Sequence, residues 1–167
     1  IFSMNYEQNA FISDYRDKLN NCFDSKSMKK VFDLCENLQN AWQGKKNIYI
    51  CGNGGSAGNA NHLANDFTYG VGVNAGIGMR IEALSSNSSV ITCLANDIGY
   101  ENIFSEQLRV KANKDDILIV LSGSGNSQNI INAVNMANEL EMISFAILGF
   151  DGGKCKNLVN EAIHFEI

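Results

Sequence analysis

Three serines lie close together in a short polar segment that could bind an anion. Ser122, Ser124 and Ser127 follow directly after the apolar run Ile117–Leu121, which is typical of a buried parallel strand. The residues after Ser127 have helical spacing, so the segment is predicted to join a strand to the start of a helix. Backbone N–H groups and the positive end of the helix dipole would then face a bound phosphate.

The same segment lacks the lysine of the G-x-x-x-x-G-K-[ST] nucleotide loop. A phosphate held only by hydroxyl and backbone N–H groups indicates a small phosphorylated metabolite rather than a triphosphate. The alternative is an ordinary Gly/Ser turn between a strand and a helix, which binds nothing.

A histidine and an aspartate form a second candidate for chemistry. His62 and Asp66 are four residues apart, so in a helix they lie one turn apart on the same face. An imidazole and a carboxylate in that arrangement can bind a divalent metal or act as an acid–base pair. The alternative is a solvated pair with a structural role only.

A glycine-rich segment precedes this pair. Gly52, Gly54 and Ala57 satisfy the dinucleotide-binding fingerprint G-x-G-x-x-[GA]. That fingerprint also requires an acidic residue at the end of the second strand, whereas Glu82 lies within the predicted strand. We therefore predict that the protein binds no nucleotide cofactor.

Two further polar positions have a functional and a structural interpretation. Asn96 and Asp97 follow the apolar stretch Val90–Ala95, where they could hydrogen-bond sugar hydroxyls or simply end a helix. His164 alternates with apolar residues in a predicted strand, which favours a structural role. Cys51 and Cys93 have apolar neighbours and are predicted to lie in the core.

The elements that position these residues alternate between strands and helices. The predicted strands are Asn47–Cys51, Arg80–Leu84, Asp116–Leu121, Ser144–Gly149 and Ala162–Ile167, and helical stretches fall around 57–70, 88–112, 126–141 and 152–160. This alternation predicts an α/β fold in three layers, with a doubly wound five-stranded parallel sheet covered on both faces. Such sheets bind ligands beyond the carboxyl ends of their strands, where each Gly/Ser-rich loop lies.

Two amphipathic helices precede the first strand. Their apolar stripes are Phe11, Ile12, Tyr15, Leu19 and Cys22 in the first, and Met28, Val31, Phe32, Cys35, Leu38 and Trp42 in the second. The polar segment Asp24–Ser27 between them is predicted to end one helix and cap the next.

Length and charge restrict the remaining classes of protein. A chain of 167 residues suits one domain, and its net charge of −5 without a basic cluster argues against nucleic-acid binding. No apolar stretch reaches the length of a membrane span, and five scattered cysteines without a C-x-x-C pair indicate reduced thiols in the cytoplasm. Since α/β sheets usually cover their last strand with a helix, we expect a C-terminal helix beyond Ile167.

Four motifs together resemble the phosphoheptose isomerases of the sugar isomerase (SIS) domain superfamily. They are Gly52–His62, Ala95–Asp97, Ser122–Ser127 and Gly152–Lys154. The resemblance implies a single SIS domain over residues 1–167, with a helical hairpin near 5–43 and an α/β core near 47–167. It further implies a cytoplasmic homotetramer, with active sites between subunits, that interconverts sedoheptulose 7-phosphate and D-glycero-D-manno-heptose 7-phosphate for lipopolysaccharide or capsule.

The resemblance also implies roles for individual residues. Substrate would be bound by Asn53, Gly54, Gly55, Asn96 and Asp97, and its phosphate by Ser122, Gly123, Ser124 and Ser127. His62 would be a zinc ligand in members that bind zinc, and Asp66 stands where the family has a glutamate that is both base and ligand. The family's other catalytic residues, a glutamine and a histidine, lie on the C-terminal helix.

The chemistry of an aldose–ketose isomerase accounts for these residue types. A proton moves between adjacent carbons through an enediol, which requires a base near both carbons, a second group for the hydroxyl protons and stabilisation of the oxyanion. Because Asp66 is one methylene shorter than glutamate, a non-catalytic SIS protein that binds a sugar phosphate or a protein partner is the alternative. An NAD-dependent enzyme is a third.

Overall fold

A five-stranded parallel sheet forms the centre of the fold, as the alternation of strands and helices predicts. The structure is a computed structural model that describes residues 6–23, 26–70, 72 and 76–166. Its strands are β1 (Asn47–Gly52), β2 (Arg80–Ala83), β3 (Ile117–Ser122), β4 (Ile143–Leu148) and β5 (Glu161–His164). They are ordered β2-β1-β3-β4-β5 across the sheet, and every neighbouring pair is parallel.

Helices cover both faces of the sheet. Those in the described residues are α1 (Tyr6–Phe23), α2 (Ser27–Gln43), α3 (Gly55–Asn65), α4 (Ser88–Ile98), α5 (Ser105–Lys111) and α6 (Gln128–Glu139). One π-helical turn, Asp66–Gly70, continues α3, and 3₁₀ turns occupy Tyr100–Asn102 and Lys154–Asn157. Within the described ranges, no helix has both the length and the apolar character needed to cross a membrane.

Two of the predicted helical stretches differ from the structure. The stretch 88–112 is divided into α4 and α5, because Gly99 adopts a φ of +92° that no α-helix allows. The stretch 152–160 contains only the short 3₁₀ turn Lys154–Asn157.

The central strand β3 separates two apolar clusters. Ile117, Ile119 and Leu121 pack with residues of α2 and α3 on one face, whereas Leu118 and Val120 pack with residues of α5 and α6 on the other. Successive side chains of a strand point to opposite faces, and all six residues of β3 are buried. Burial of each large apolar side chain stabilises the folded state by roughly 1.5–3 kcal/mol. The strand β3 therefore holds the start of the loop that follows it in a fixed position.

The two N-terminal helices differ in how much apolar surface they bury. The buried residues of α2 are Leu34, Leu38 and Ala41, which lie on one face of the helix against the sheet. The stripe predicted for α1 is exposed instead, with Phe11 72% and Tyr15 64% accessible. The helix boundaries agree with the predicted break at 24–27, although residues 24 and 25 lie outside the described part.

Of the two cysteines predicted to lie in the core, one is buried and one is exposed. Cys51 is buried in β1, and this burial raises the pKa of its thiol far above the ordinary value. The prediction that Cys93 lies in the core is wrong, because it sits on the outer face of α4 and is exposed. Every residue of α4 is described, and none of them is fully buried. Cys35, Cys51, Cys93 and Cys155 are free thiols.

Candidate active site

The structure brings two of the predicted segments together at the point where the sheet changes its direction of winding. Strand β1 pairs with β2 on one side and with β3 on the other. Gly52 lies in register with Leu121, so Asn53, which follows β1, lies next to Ser122, the last residue of β3. In doubly wound sheets the crevice beyond such a switch point is where ligands bind.

The segment Ser122–Ser127, here called the serine loop, presents hydroxyl groups at this crevice. The Oγ of Ser122 accepts a hydrogen bond from the Gly125 N–H at 3.0 Å, and the Oγ of Ser124 accepts one from the Asn126 N–H at 3.3 Å. Each hydroxyl keeps its own proton and can donate it to a phosphate oxygen. Because Ser122 is buried and Ser124 is exposed, Ser124 is the more accessible donor.

Helix α6 begins directly after the serine loop. Ser127 is its N-cap residue, with an extended ψ of 128°, and its hydroxyl makes no capping hydrogen bond to any described residue. That hydroxyl is therefore available to a ligand, together with the N–H groups at the very start of the helix, whereas the Ile130 N–H already donates to the Ser127 carbonyl. Those N–H groups and the helix dipole favour an anion at this position.

The serine loop is held in shape by the segment that follows β4. The Asn126 side chain donates to the Ser124 carbonyl at 3.0 Å and accepts from the Lys154 N–H at 3.1 Å. The Cys155 N–H donates to the Gly125 carbonyl at 3.0 Å. Gly125 has a φ of +62°, and a Cβ there would lie 2.1 Å from the Gly152 carbonyl oxygen, so only glycine fits.

Asn53 belongs to a polar network that the sequence did not predict. Its Nδ2 donates to Asn129 Oδ1 at 2.9 Å, and its Oδ1 accepts from Asn129 Nδ2 at 2.8 Å and from the Tyr100 hydroxyl at 3.0 Å. The amide oxygen of Asn53 is thus fully used, while one of its N–H hydrogens remains free to donate. The network joins the end of β1 to the start of α6.

A signal for Asn129 is present in the sequence. It lies four and eight residues before Ala133 and Ala137, on the apolar stripe of α6, and is only 2% exposed. A polar residue on such a stripe needs a buried partner, and here that partner is Asn53. Tyr100 follows Gly99 in an irregular connection, where no periodic pattern indicates its position.

Two glycines after Asn53 leave open space at the start of α3. Gly54 has a φ of +54° and serves as the N-cap, and Gly55 is the first residue of the helix. A Cβ at either position would have no described atom within 4 Å. A ligand could therefore approach this backbone closely, as the predicted substrate contacts of both residues require.

His62 and Asp66 lie on one face of the helix, as their spacing predicts. His62 Nε2 is 3.4 Å from Asp66 Oδ2, and the two side chains are 74% and 54% exposed. The Asn65 side chain also donates to Asp66 Oδ1 at 3.3 Å. No hydrogen bond between described residues joins this pair to the serine loop, so the structure does not bring the two predicted groups into contact.

The described residues do not form a complete zinc site. A catalytic zinc ion has three protein ligands, whereas His62 and Asp66 supply two. No group of three His, Cys, Asp or Glu side chains suited to a metal occurs in the described part of the chain.

Asn96 and Asp97 lie in the last turn of α4, and both are exposed. Asn96 Nδ2 donates to Asp97 Oδ1 at 2.8 Å, and Cys93 Sγ is 3.5 Å from Asp97 Oδ2. The hydrogen bond to Asp97, followed by the charge of that carboxylate, raises the pKa of the Cys93 thiol. Tyr100, three residues after Asp97, links this end of α4 to Asn53.

The chain is similar to a protein family and to individual proteins of known sequence and structure. Residues 10–149 match the SIS domain family. A phosphoheptose isomerase from Helicobacter pylori (strain P12) is 43% identical over 135 residues, which cover 81% of this chain and 68% of that protein. The chain therefore spans about two thirds of the length of this relative.

Solved structures show the same fold. A phosphoheptose isomerase from Neisseria gonorrhoeae aligns with a TM-score of 0.86 at 28% identity, covering 95% of this chain and 84% of that one. A phosphoheptose isomerase from Francisella tularensis aligns with a TM-score of 0.86 at 24% identity, covering 98% and 87% of the two chains.

Proposed function

Because the chain belongs to the SIS-domain family and, within it, to the phosphoheptose isomerases, we propose that it interconverts sedoheptulose 7-phosphate and D-glycero-D-manno-heptose 7-phosphate. The reaction is an aldose–ketose isomerisation through an enediol. The observation that carries the proposal is the serine loop, where Ser124 and Ser127 can donate their hydroxyl protons at the N-terminus of α6, beside Asn53 at the switch point of the sheet.

In this proposal the serine loop binds the phosphate and orients the sugar. Binding of the distant phosphate supplies energy that positions the reacting carbons. The free N–H of Asn53 donates to a sugar oxygen, and its orientation is set by Asn129 and Tyr100. Asn96 and Asp97, at the end of α4, bind sugar hydroxyls.

Proton transfer is assigned to Asp66 and His62. The Asp66 carboxylate removes the proton from one carbon and returns it to the next, and His62, 3.4 Å away, orients that carboxylate or moves hydroxyl protons. Zinc binding by His62 and Asp66 would need donors beyond the described residues, so no step of the reaction is assigned to a metal.

We further propose a cytoplasmic homotetramer whose active sites lie between subunits. The exposed apolar stripe of α1, which includes Phe11 and Tyr15, supports an interface on this helix. Trp42, on the apolar stripe of α2, is half-buried and donates to the Ile77 carbonyl at 3.1 Å within its own chain. The product would supply heptose for lipopolysaccharide or capsule.

A non-catalytic sugar-phosphate-binding protein is the second candidate. Two observations favour it: Asp66 is shorter than the glutamate of the family, and the His62–Asp66 pair is largely exposed. The serine loop would bind a phosphate in either protein, so only a measurement of the chemical step separates the two functions.

The test is proton exchange at the reacting carbons. Sedoheptulose 7-phosphate is incubated with the protein in deuterated water, and loss of the C1 proton signal and formation of the aldose are followed by NMR. We expect both. Binding in calorimetry without exchange would establish the non-catalytic function, and the absence of binding would show that the serine loop is not a phosphate site.

A further inference from the structure

The serine loop rests on a backbone segment that contains no residue of the proposed site. This segment, Gly149–Gly153, joins β4 to the 3₁₀ turn Lys154–Asn157 and is here called the β4–β5 connection. The Gly149 N–H donates to the Gly123 carbonyl at 3.1 Å. At Gly125 the two backbones are so close that a Cβ would lie 2.1 Å from the Gly152 carbonyl oxygen. The position of the connection therefore sets the position of the serine loop.

The connection has an unusual backbone conformation. Phe150 has a φ of +46°, which residues other than glycine rarely adopt, and its side chain is exposed. Gly152 and Gly153, with φ of +81° and +54°, follow within three residues. Such a conformation persists only when neighbouring groups hold it.

His164, at the end of the edge strand β5, is the side chain that holds Phe150. Its Nε2 is 2.9 Å from the Phe150 carbonyl oxygen, and its Nδ1 is 3.0 Å from Lys156 Nζ. A carbonyl only accepts hydrogen bonds and a lysine ammonium only donates them, so Nε2 carries the hydrogen and Nδ1 the lone pair. Both contacts thus require the same neutral tautomer.

Low solvent exposure and the pairing of its strand restrain the histidine ring. Its side chain is only 8% exposed, and the backbone of β5 is paired with β4. The His164 carbonyl also accepts a hydrogen bond from Ser27 Oγ at the start of α2. The ring is therefore fixed to the sheet, whereas the carbonyl that it binds belongs to the strained connection.

We propose that His164 is a positioning residue for the phosphate site. It fixes the Phe150 carbonyl, the β4–β5 connection then holds Gly123 and Gly125, and these hold the hydroxyls of the serine loop in the geometry that binds phosphate. The proposal rests on the proposed function in that the ligand of the serine loop is the phosphate of a sugar. It assigns to His164 no contact with substrate.

Two amide substitutions separate the two contacts of the ring. In His164→Gln the side-chain nitrogen can reach the position of Nε2 and donate to Phe150. In His164→Asn the amide can reach only the position of Nδ1, so the bond to Phe150 is lost. Ser144→Ala is the matched control, because Ser144 is also buried, on β4, and bonds to Asn160 at the opposite end of the strands.

The measurements are calorimetric affinity for sedoheptulose 7-phosphate, KM and kcat, and backbone hydrogen exchange of residues 122–127. For His164→Asn we expect about tenfold weaker binding, the equivalent of one hydrogen bond, and faster exchange in the serine loop. KM should rise more than kcat falls. In His164→Gln, the affinity and the exchange rate of the serine loop should be close to those of the parent protein. Ser144→Ala should lower the melting temperature but leave the affinity and the exchange rate unchanged.

Other outcomes would overturn specific statements. Unchanged affinity and exchange in His164→Asn would show that His164 does not position the serine loop. An equal loss in Ser144→Ala would show that the effect of His164→Asn is a general loss of stability. If the parent protein binds no sugar phosphate, the proposed function fails. The exchange measurement, which needs no ligand, would in that case still decide whether His164 holds the serine loop.

Discussion

The serine loop and the His62–Asp66 pair are the two halves of the proposed site, and they are built very differently. The serine loop follows a fully buried strand, and hydrogen bonds from Asn126, Gly149 and Cys155 hold its backbone. His62 and Asp66 project from a helix surface, more than half exposed, and bond chiefly to each other. If the serine loop binds the phosphate as proposed, one subunit builds that site alone, whereas the proposed acid–base pair would need substrate or another subunit to exclude water.

A negative charge in the serine loop should have the largest effect. Ser124→Asp places a carboxylate where the phosphate must bind, and repulsion of several kcal/mol weakens binding about a thousandfold. Calorimetry with sedoheptulose 7-phosphate measures the change. Ser88→Asp, in the first turn of α4, introduces the same charge at an exposed serine and should bind as the parent does. Comparable affinity of Ser124→Asp and the parent would place the phosphate elsewhere.

Removal of the proposed base, Asp66, should impair catalysis but not phosphate binding. Asp66→Asn keeps the shape of the side chain but cannot accept a proton, so turnover should fall at least ~100-fold. Affinity for sugar phosphate should change little, since the serine loop is intact. Asp66→Glu restores the length of the family's side chain and is expected to retain activity. Proton exchange in Asp66→Asn at the parental rate would mean that another group is the base.

The third prediction concerns association of subunits through α1, which the proposal requires if another subunit is to cover the exposed His62–Asp66 pair. Phe11→Ala removes a large exposed aromatic side chain from the proposed interface, and loss of one such anchor should weaken assembly about 30-fold. Sedimentation velocity over a range of protein concentrations measures this. Asn20→Ala lies half a turn around α1 from Phe11 and serves as the control. A monomeric parent at micromolar concentration would contradict the proposed tetramer.

The reactivity of Cys93 gives the smallest and most local test. Because Asp97 raises the pKa of this thiol and so lowers its thiolate fraction, Asp97→Asn should lower the pKa and make alkylation severalfold faster. Bound sugar phosphate should slow alkylation in the parent, since Asp97 is proposed to bind the sugar. Cys35, exposed on α2, is the internal reference. If Cys93 is alkylated at the same rate with and without sugar phosphate, Asp97 does not bind the sugar.

Much of the fold could be predicted because its signals are local. The run Ile117–Leu121 is apolar at every position, as a strand buried on both faces must be, and β3 is that strand. The spacing of His62 and Asp66 likewise places them on one helix face whatever surrounds them. The prediction for Cys93 was wrong because burial is not a local property. Its apolar neighbours in the sequence suggested burial, but α4 lies at the outside of the fold, and the sequence neighbours do not reveal the position of the helix.

By itself, then, the sequence determined the α/β alternation, the serine loop at a strand end and the helical pairing of His62 with Asp66. The tertiary structure alone decided which side chains surround the loop. Asn129 meets Asn53 across 76 residues of chain, and His164 reaches Phe150 across 14. Local periodicity records the burial of a residue but not the identity of its distant partner, because that partner depends on how the strands are ordered in the sheet.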